Sequence, residues 1–254
     1  EFMEFIERPD INCILCARGG YGVMRILPML DFGAIKKNPK IVIGYSDITA
    51  LLIAIYNQTK LVTFHGPVAS STFDTFTLNY FLKTLFQPAA DAEQGQQIVH
   101  PAITFSDSHL LTLTDGTARG RLVGGNLAMI VSTLGTPYEI DTKGAILFLE
   151  EVSEEPYKID RMLTQLWLAG KLQHCAGIAL GQFKNCEATS RSGFDLSFTL
   201  QQVIEARIQS LGIPAIYGLP FGHVKSKMTL PIGVQAELNA TDKTFTIIEP
   251  SVLH

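Results

Sequence analysis

An α/β fold built on a parallel sheet is what this sequence predicts, from three observations. Short apolar runs alternate with helically spaced segments, the pattern of strands joined by crossover helices. Three successive runs end in polar, glycine-bearing stretches, Ala17-Arg18-Gly19-Gly20-Tyr21-Gly22, Gly44-Tyr45-Ser46-Asp47 and His65-Gly66-Pro67, which places those stretches on one sheet edge. With 254 residues, 46% of them hydrophobic and 17% charged, the chain has enough apolar material for one large or two modest domains.

Each element follows in order. Glu4 to Arg8 reads as the end of a helix, closed by Pro9-Asp10. Asn12 to Cys16 is a strand running into the Arg18-Gly19-Gly20-Tyr21-Gly22 loop, whose glycines can aim N–H groups at an anion or simply turn the chain. Val23 to Leu30 is a helix, and Ile35 to Pro39 a loop. Lys40 to Ile43 is a buried strand, Gly44 to Asp47 a tight turn, and Thr49 to Asn57 a helix. Leu61 to Phe64 is a further strand, and Asn79 to Phe86 a helix.

A composition shift over Gln87 to Gln97 sets the domain boundary: residues 1–88 form the first domain, 89–117 a linker and 118–254 the second. Val99 to Leu113 is irregular or an edge strand, and Gly120 to Asn126 turns into a helix through Leu134. Ala145 to Leu149 is an apolar strand that stops at Glu150-Glu151. Tyr157 to Ala169 is a helix with Ile159, Leu163, Leu166 and Trp167 on a core-facing side. Ala176 to Leu180 is a strand, Phe198 to Leu211 a helix, and Ala215 to Tyr217 a strand before the turn Gly218 to His223. Val234 to Leu238 and Thr244 to Ile248 form a hairpin.

Composition narrows the function. A net charge of −4 with no basic run argues against nucleic acid as a partner. No apolar segment approaches the length of a membrane span, since Ser46-Asp47 interrupt the most hydrophobic region. Cys13 and Cys16 lie within an apolar strand and lack a matching second pair, so buried thiols are expected for this pair, not a zinc or redox site, and a reducing compartment fits best. No metal and no cofactor is expected, because no two histidines have ligand spacing.

Ser46 draws attention because a strand-end hydroxyl before a helix is exposed, fixed and close to unpaired N–H groups. The plainer reading is that Ser46 or Asp47 caps the helix. Nucleophilic catalysis by serine also needs a base and a carboxylate to orient it. The chain offers Glu150 at a strand end and His223 in a glycine-flanked turn. Each has an ordinary alternative: Glu150-Glu151 can mark where a strand meets solvent, and His223 can be a turn residue. His65 competes, sharing the predicted edge with Ser46, whereas His100, His109, His174 and His254 lie in less structured contexts.

Taken together, these motifs resemble the LD-carboxypeptidase family of serine peptidases, which includes cytoplasmic murein tetrapeptide carboxypeptidases and microcin-immunity peptidases. The resemblance runs through nearly the whole chain: Arg18 to Gly22, Gly44 to Leu51, His65-Gly66-Pro67, Gly124-Gly125-Asn126-Leu127, Leu147 to Glu150, Tyr157 to Leu163, Gly222-His223 and Thr229 to Gly233, in order. It implies Ser46 as nucleophile, His223 as base and Glu150 as orienter, with an oxyanion hole from the N–H of Asp47 and that of Gly19 or Gly20. Arg18, Tyr45, Gly125 and Asn126 are the implied substrate-binding candidates, and Arg161 a structural residue. It further implies a flavodoxin-like amino-terminal domain, a mixed α/β carboxy-terminal domain, a murein tetrapeptide as small peptide substrate, a cytoplasmic homodimer, and neither nucleic acid nor membrane as partner. Its alternatives are a peptidase acting on peptidyl- or aminoacyl-nucleotides and an inactive binding or scaffold fragment. Against the family pattern the chain begins where the helix before the Arg-Gly-Gly strand should end, so the first sheet is expected to carry an uncovered edge.

Overall fold

The computed structural model describes residues 1–86, 103–104, 110–188 and 198–252. Its first half runs α1 (Phe2–Glu7), β1 (Cys13–Leu15), α2 (Val23–Ile26), α3 (Phe32–Lys37), β2 (Ile41–Gly44), α4 (Thr49–Thr59), β3 (Thr63–His65) and α5 (Thr75–Phe86). There follow β4 (Ile103–Thr104), β5 (Leu111–Thr114), β6 (Thr117–Asn126), α6 (Leu127–Ser132), β7 (Ile146–Val152), α7 (Pro156–Leu168) and β8 (Gly177–Lys184). The chain closes with α8 (Leu200–Ile208), β9 (Ala215–Leu219), β10 (Leu230–Ile232), β11 (Gln235–Asn239) and β12 (Thr244–Ile247).

Two sheets organise these elements. The first has the order β1-β2-β3-β10, with β1, β2 and β3 parallel and β10 antiparallel. The second has the order β4-β12-β11-β6-β7-β8-β9-β5; its centre, β6 to β9, is parallel and its flanks antiparallel. The mixed α/β expectation is met. β4 and β5 are the outermost strands of this sheet, as the edge reading of Val99 to Leu113 anticipates. The Gln87 to Gln97 boundary and His100, His109 and His254 lie outside the described residues.

α4 is buried continuously from Thr49 to Ile55, apolar on nearly every side, because it is packed between elements of both sheets and has no solvent face to keep polar. One core cluster joins Val42, Leu52 and Ile55 from the first half to Leu122, Phe148 and Phe245 from the second. Fully burying each such side chain contributes about 1.5–3 kcal/mol.

Several expectations need correction. Only Asn38-Pro39 of the expected Ile35 to Pro39 loop is a connection; Ile35 to Lys37 belong to α3, where the Asp31 carboxylate accepts the Ala34 N–H at 2.9 Å and Ile35 is buried. Gly120 to Asn126 is not a turn but most of β6. Its glycines allow close packing, since a Cβ on Gly125 would lie 2.4 Å from Thr49 Cγ2 of α4. Thr229 to Gly233 contains an unforeseen strand, β10, whose Pro231 is tolerated because β10 ends the sheet. Trp167 is 45% exposed, whereas Ile159, Leu163 and Leu166 are fully buried; the indole sits at the margin of that stripe. Cys175 and Cys186 are buried, but Cys13 is exposed and Cys16 half-buried, because β1 is an edge strand with outward-facing Cys13 and Leu15. No disulfide forms among the four.

Candidate active site

β2 delivers the serine. After Gly44 the chain enters a 3-10 turn, Ser46–Ile48, with Tyr45 extended and Ser46 at φ 64°. A left-handed conformation costs a non-glycine residue about 1–2 kcal/mol. Neither Ser46 nor Asp47 caps α4: no side-chain bond serves the cap of the 3-10 turn or of the helix. The Asp47 carboxylate instead accepts the Val23 N–H at 3.0 Å, tying the start of α2 to the turn. Gly19 packs directly on the serine, where an added Cβ would stand 3.1 Å from Ser46 Oγ, while the same test at Gly20 meets nothing within 4 Å.

The strand bearing the carboxylate does not stop at solvent. β7 continues to Val152, and Glu150 and Glu151 are 0% and 3% exposed. Their roles separate. Glu151 accepts from Asn126 Nδ2 at 2.9 Å, Ala128 N–H at 2.8 Å and Val152 N–H at 2.9 Å, which holds α6 to the sheet. Burial pushes its carboxyl pKa up, and those hydrogen bonds oppose the rise. Glu150 Oε2 accepts from His223 Nδ1 at 2.7 Å. Burial also raises the Glu150 pKa, but the hydrogen bond from His223 and the two nearby imidazoles outweigh it and bring the carboxyl down to about 2.

Protonated at Nδ1 by this bond, the imidazole has Nε2 free to act as a base. Gly222, at φ 88°, makes the approach possible: a Cβ there would stand 2.5 Å from Glu150 Oε2. Tyr45, next to the serine, packs edge-on against His223 with ring centroids 4.8 Å apart. His223 therefore packs on the side chain of the residue that precedes Ser46. Ser46 Oγ itself makes no hydrogen bond among the described residues.

His65 ends β3, level with Gly44 in the neighbouring strand, as the shared-edge expectation has it. Its Nε2 lies 3.8 Å from Glu150 Oε1, too long for a hydrogen bond. His65 is 1% exposed among Phe148, Phe221 and Tyr45, and neither ring nitrogen has a hydrogen-bond partner among the described residues. His174 is exposed.

The binding candidates divide. Arg18 is exposed on the loop that also carries Gly19. Asn126 is buried and committed to structure: its Oδ1 accepts the Met129 N–H at 3.2 Å, and its amide donates to Glu151. Gly125 is packed on Thr49. Arg161 lies over the Tyr157 ring at 5.8 Å. A cavity of about 1150 Å³, lined by Ile41, Val62, Phe64, Arg121 and Glu249 among others, opens beside the start of β2, at the end of that strand away from Ser46.

One residue beside this arrangement was not singled out by sequence reasoning. Lys227, four positions after His223, is 6% exposed, with its Nζ 4.5 Å from the Tyr45 ring centroid. Among the described residues no group of three or more His, Cys, Asp or Glu is arranged to hold a metal, and no helix is long and apolar enough to cross a membrane.

The buried carboxylate–imidazole pair thus packs, through Tyr45, against the strand end that carries Ser46. Residues 1–66 match the LD-carboxypeptidase N-terminal domain and residues 119–238 the LD-carboxypeptidase C-terminal domain. The chain is 43% identical to a probable murein peptide carboxypeptidase of Bacillus subtilis, over 98% of this chain and 75% of the relative. Its structure superposes on a muramoyltetrapeptide carboxypeptidase from Oxalobacter formigenes with TM-score 0.81 and 33% identity, covering 97% of this chain and 80% of the other. It superposes on MccF in complex with glutamyl sulfamoyl guanosine with TM-score 0.84 and 26% identity, covering 99% and 80%. The chain belongs to the LD-carboxypeptidase family.

Proposed function

We propose that this protein is a serine carboxypeptidase that removes terminal D-alanine from murein tetrapeptides, cutting after the L-centre of the diamino acid. The observation that carries the reading is the 2.7 Å bond between buried Glu150 and His223, with Tyr45 linking His223 to the left-handed Ser46. In this mechanism Ser46 Oγ attacks the diamino-acid carbonyl carbon while His223 Nε2 takes the hydroxyl proton. The N–H of Asp47 and one from the Gly19-Gly20 segment receive the developing oxyanion; the contact of Gly19 with Ser46 favours that segment. The carbon–nitrogen bond then breaks as His223 returns the proton to the leaving amine. A water, deprotonated by His223, next attacks the acyl ester and frees Ser46. Glu150 stays ionised and steadies the imidazolium in both halves of the cycle.

Action in the cytoplasm on recycled murein peptides belongs to the same reading, as does a homodimer; light scattering tests the latter. The likeness to MccF supports a second substrate class, aminoacyl-nucleotides. Incubating the protein with a tetrapeptide ending in D-alanine and with an aminoacyl-sulfamoyl nucleoside, followed by mass spectrometry, separates the two. Loss of one alanine from the tetrapeptide is expected, and an intact tetrapeptide refutes the proposal. Ser46→Ala should lower kcat by about 10³-fold or more with little change in melting. Labelling of folded protein by a fluorophosphonate at Ser46 separates an enzyme from an inactive scaffold.

A further inference from the structure

The loop that carries the base also carries a cation without a matching anion. Lys227 is 6% exposed, and its backbone N–H is fixed by Thr77 Oγ1 at 3.0 Å. Its ammonium lies over the Tyr45 face at 4.5 Å and forms no ion pair within 4.0 Å among the described residues. The nearby acids are already engaged: Glu150 with His223, and Asp74 with the Ser226 hydroxyl at 2.5 Å and the Thr77 N–H at 2.8 Å. An ammonium held against an aromatic face with no anion beside it has charge-assisted hydrogen bonds left to give, and a carboxylate arriving with a ligand would take them.

The chemistry of the proposed reaction supplies one. A carboxypeptidase differs from an endopeptidase in that its leaving group ends in a free α-carboxylate, two bonds beyond the nitrogen that His223 must protonate. The Lys227 ammonium and the His223 ring lie 4.5 Å and 4.8 Å from the centroid of the same ring, that of Tyr45, and on the same loop. The cation and the base thus border one and the same aromatic ring. Arg18 and the Gly124 to Asn126 segment are weaker claimants, since Arg18 is exposed and Asn126 is spent on Glu151 and α6.

We propose that the Lys227 ammonium receives the free α-carboxylate of the departing amino acid and so makes this site an exopeptidase site. The inference rests on the carboxypeptidase reading above, and the order of residues explains its logic: one short loop holds both the acid that releases the amine and the cation that anchors the carboxylate beside it.

The test uses binding, which needs no turnover. In a Ser46→Ala background, calorimetry with an N-acyl-D-alanine and with its carboxamide should show the acid bound more tightly by about 10- to 100-fold, the range of one charge-assisted hydrogen bond. Lys227→Met keeps the apolar stem and removes the charge; it should abolish that preference by weakening the acid while leaving the amide unchanged. Lys227→Arg should retain most of it. An acid-to-amide ratio that Lys227→Met leaves unchanged overturns the proposal, as does equal loss for both ligands. Should Lys227→Met fail to fold, Lys227→Gln reads the same ratio. Failure of the wild-type protein to shorten the tetrapeptide would count against the proposed function separately, because the binding ratio is measured without catalysis.

Discussion

Ser46 occupies a backbone conformation that its own Cβ resists, with φ at 64°. Replacing it with glycine should relieve that resistance, whereas alanine inherits it. Ser46→Gly is therefore expected to exceed Ser46→Ala in unfolding free energy by about 1 kcal/mol in denaturant titration, although both are inactive. Equal stabilities would mean the turn is unstrained. Glu150 gives a prediction in pH. Its folded pKa, near 2, lies below the ordinary value of 4.5, so the ionised form stabilises the fold above about pH 4.5 and that contribution disappears as pH falls toward 2. Glu150→Gln should be less stable than wild type at pH 7, and the gap should narrow between pH 4.5 and 2. A gap independent of pH would show that the carboxylate is not held by the imidazoles.

Helix and strand boundaries explain what was legible in the sequence. Ser46, Glu150 and His223 could be nominated because each stands where an apolar strand gives way to a polar or glycine-bearing stretch, a signal read over a few neighbouring residues. β6 could not, because glycines serving the close approach of α4 look locally like turn residues. β10 was hidden by Pro231, which only its place at a sheet margin permits. Lys227 carries no local signal at all; its meaning comes from Tyr45, brought to it by folding. Two substitutions test this scale. Gly222→Ala drives a methyl group into the Glu150 carboxylate at a φ of 88° and should cut kcat/KM by at least about tenfold, with stability lowered by about 1–3 kcal/mol. Asp31→Ala removes the α3 cap and should lower stability by about 1 kcal/mol with activity unchanged. A loss of activity in the second would tie α3 to the site.

Across the whole molecule, one core cluster draws side chains from both halves of the chain, and β10 joins the first sheet from far along the sequence. A single cooperative unfolding transition is the expected outcome. The cysteines can report it: Cys13 is exposed, while burial raises the thiol of Cys16 to about 11 and that of Cys175 to about 12, so native protein should react first at Cys13. Cys16 and Cys175 should then become reactive at one denaturant midpoint; two midpoints would mean the sheets melt separately. The pairing of Leu230–Ile232 with Thr63–His65 reaches further. Two fragments expressed apart would have to rebuild a common sheet, rung by rung, before Ser46 and the proposed base stood in one molecule, a stricter demand on split-protein complementation than the mere adhesion of finished halves.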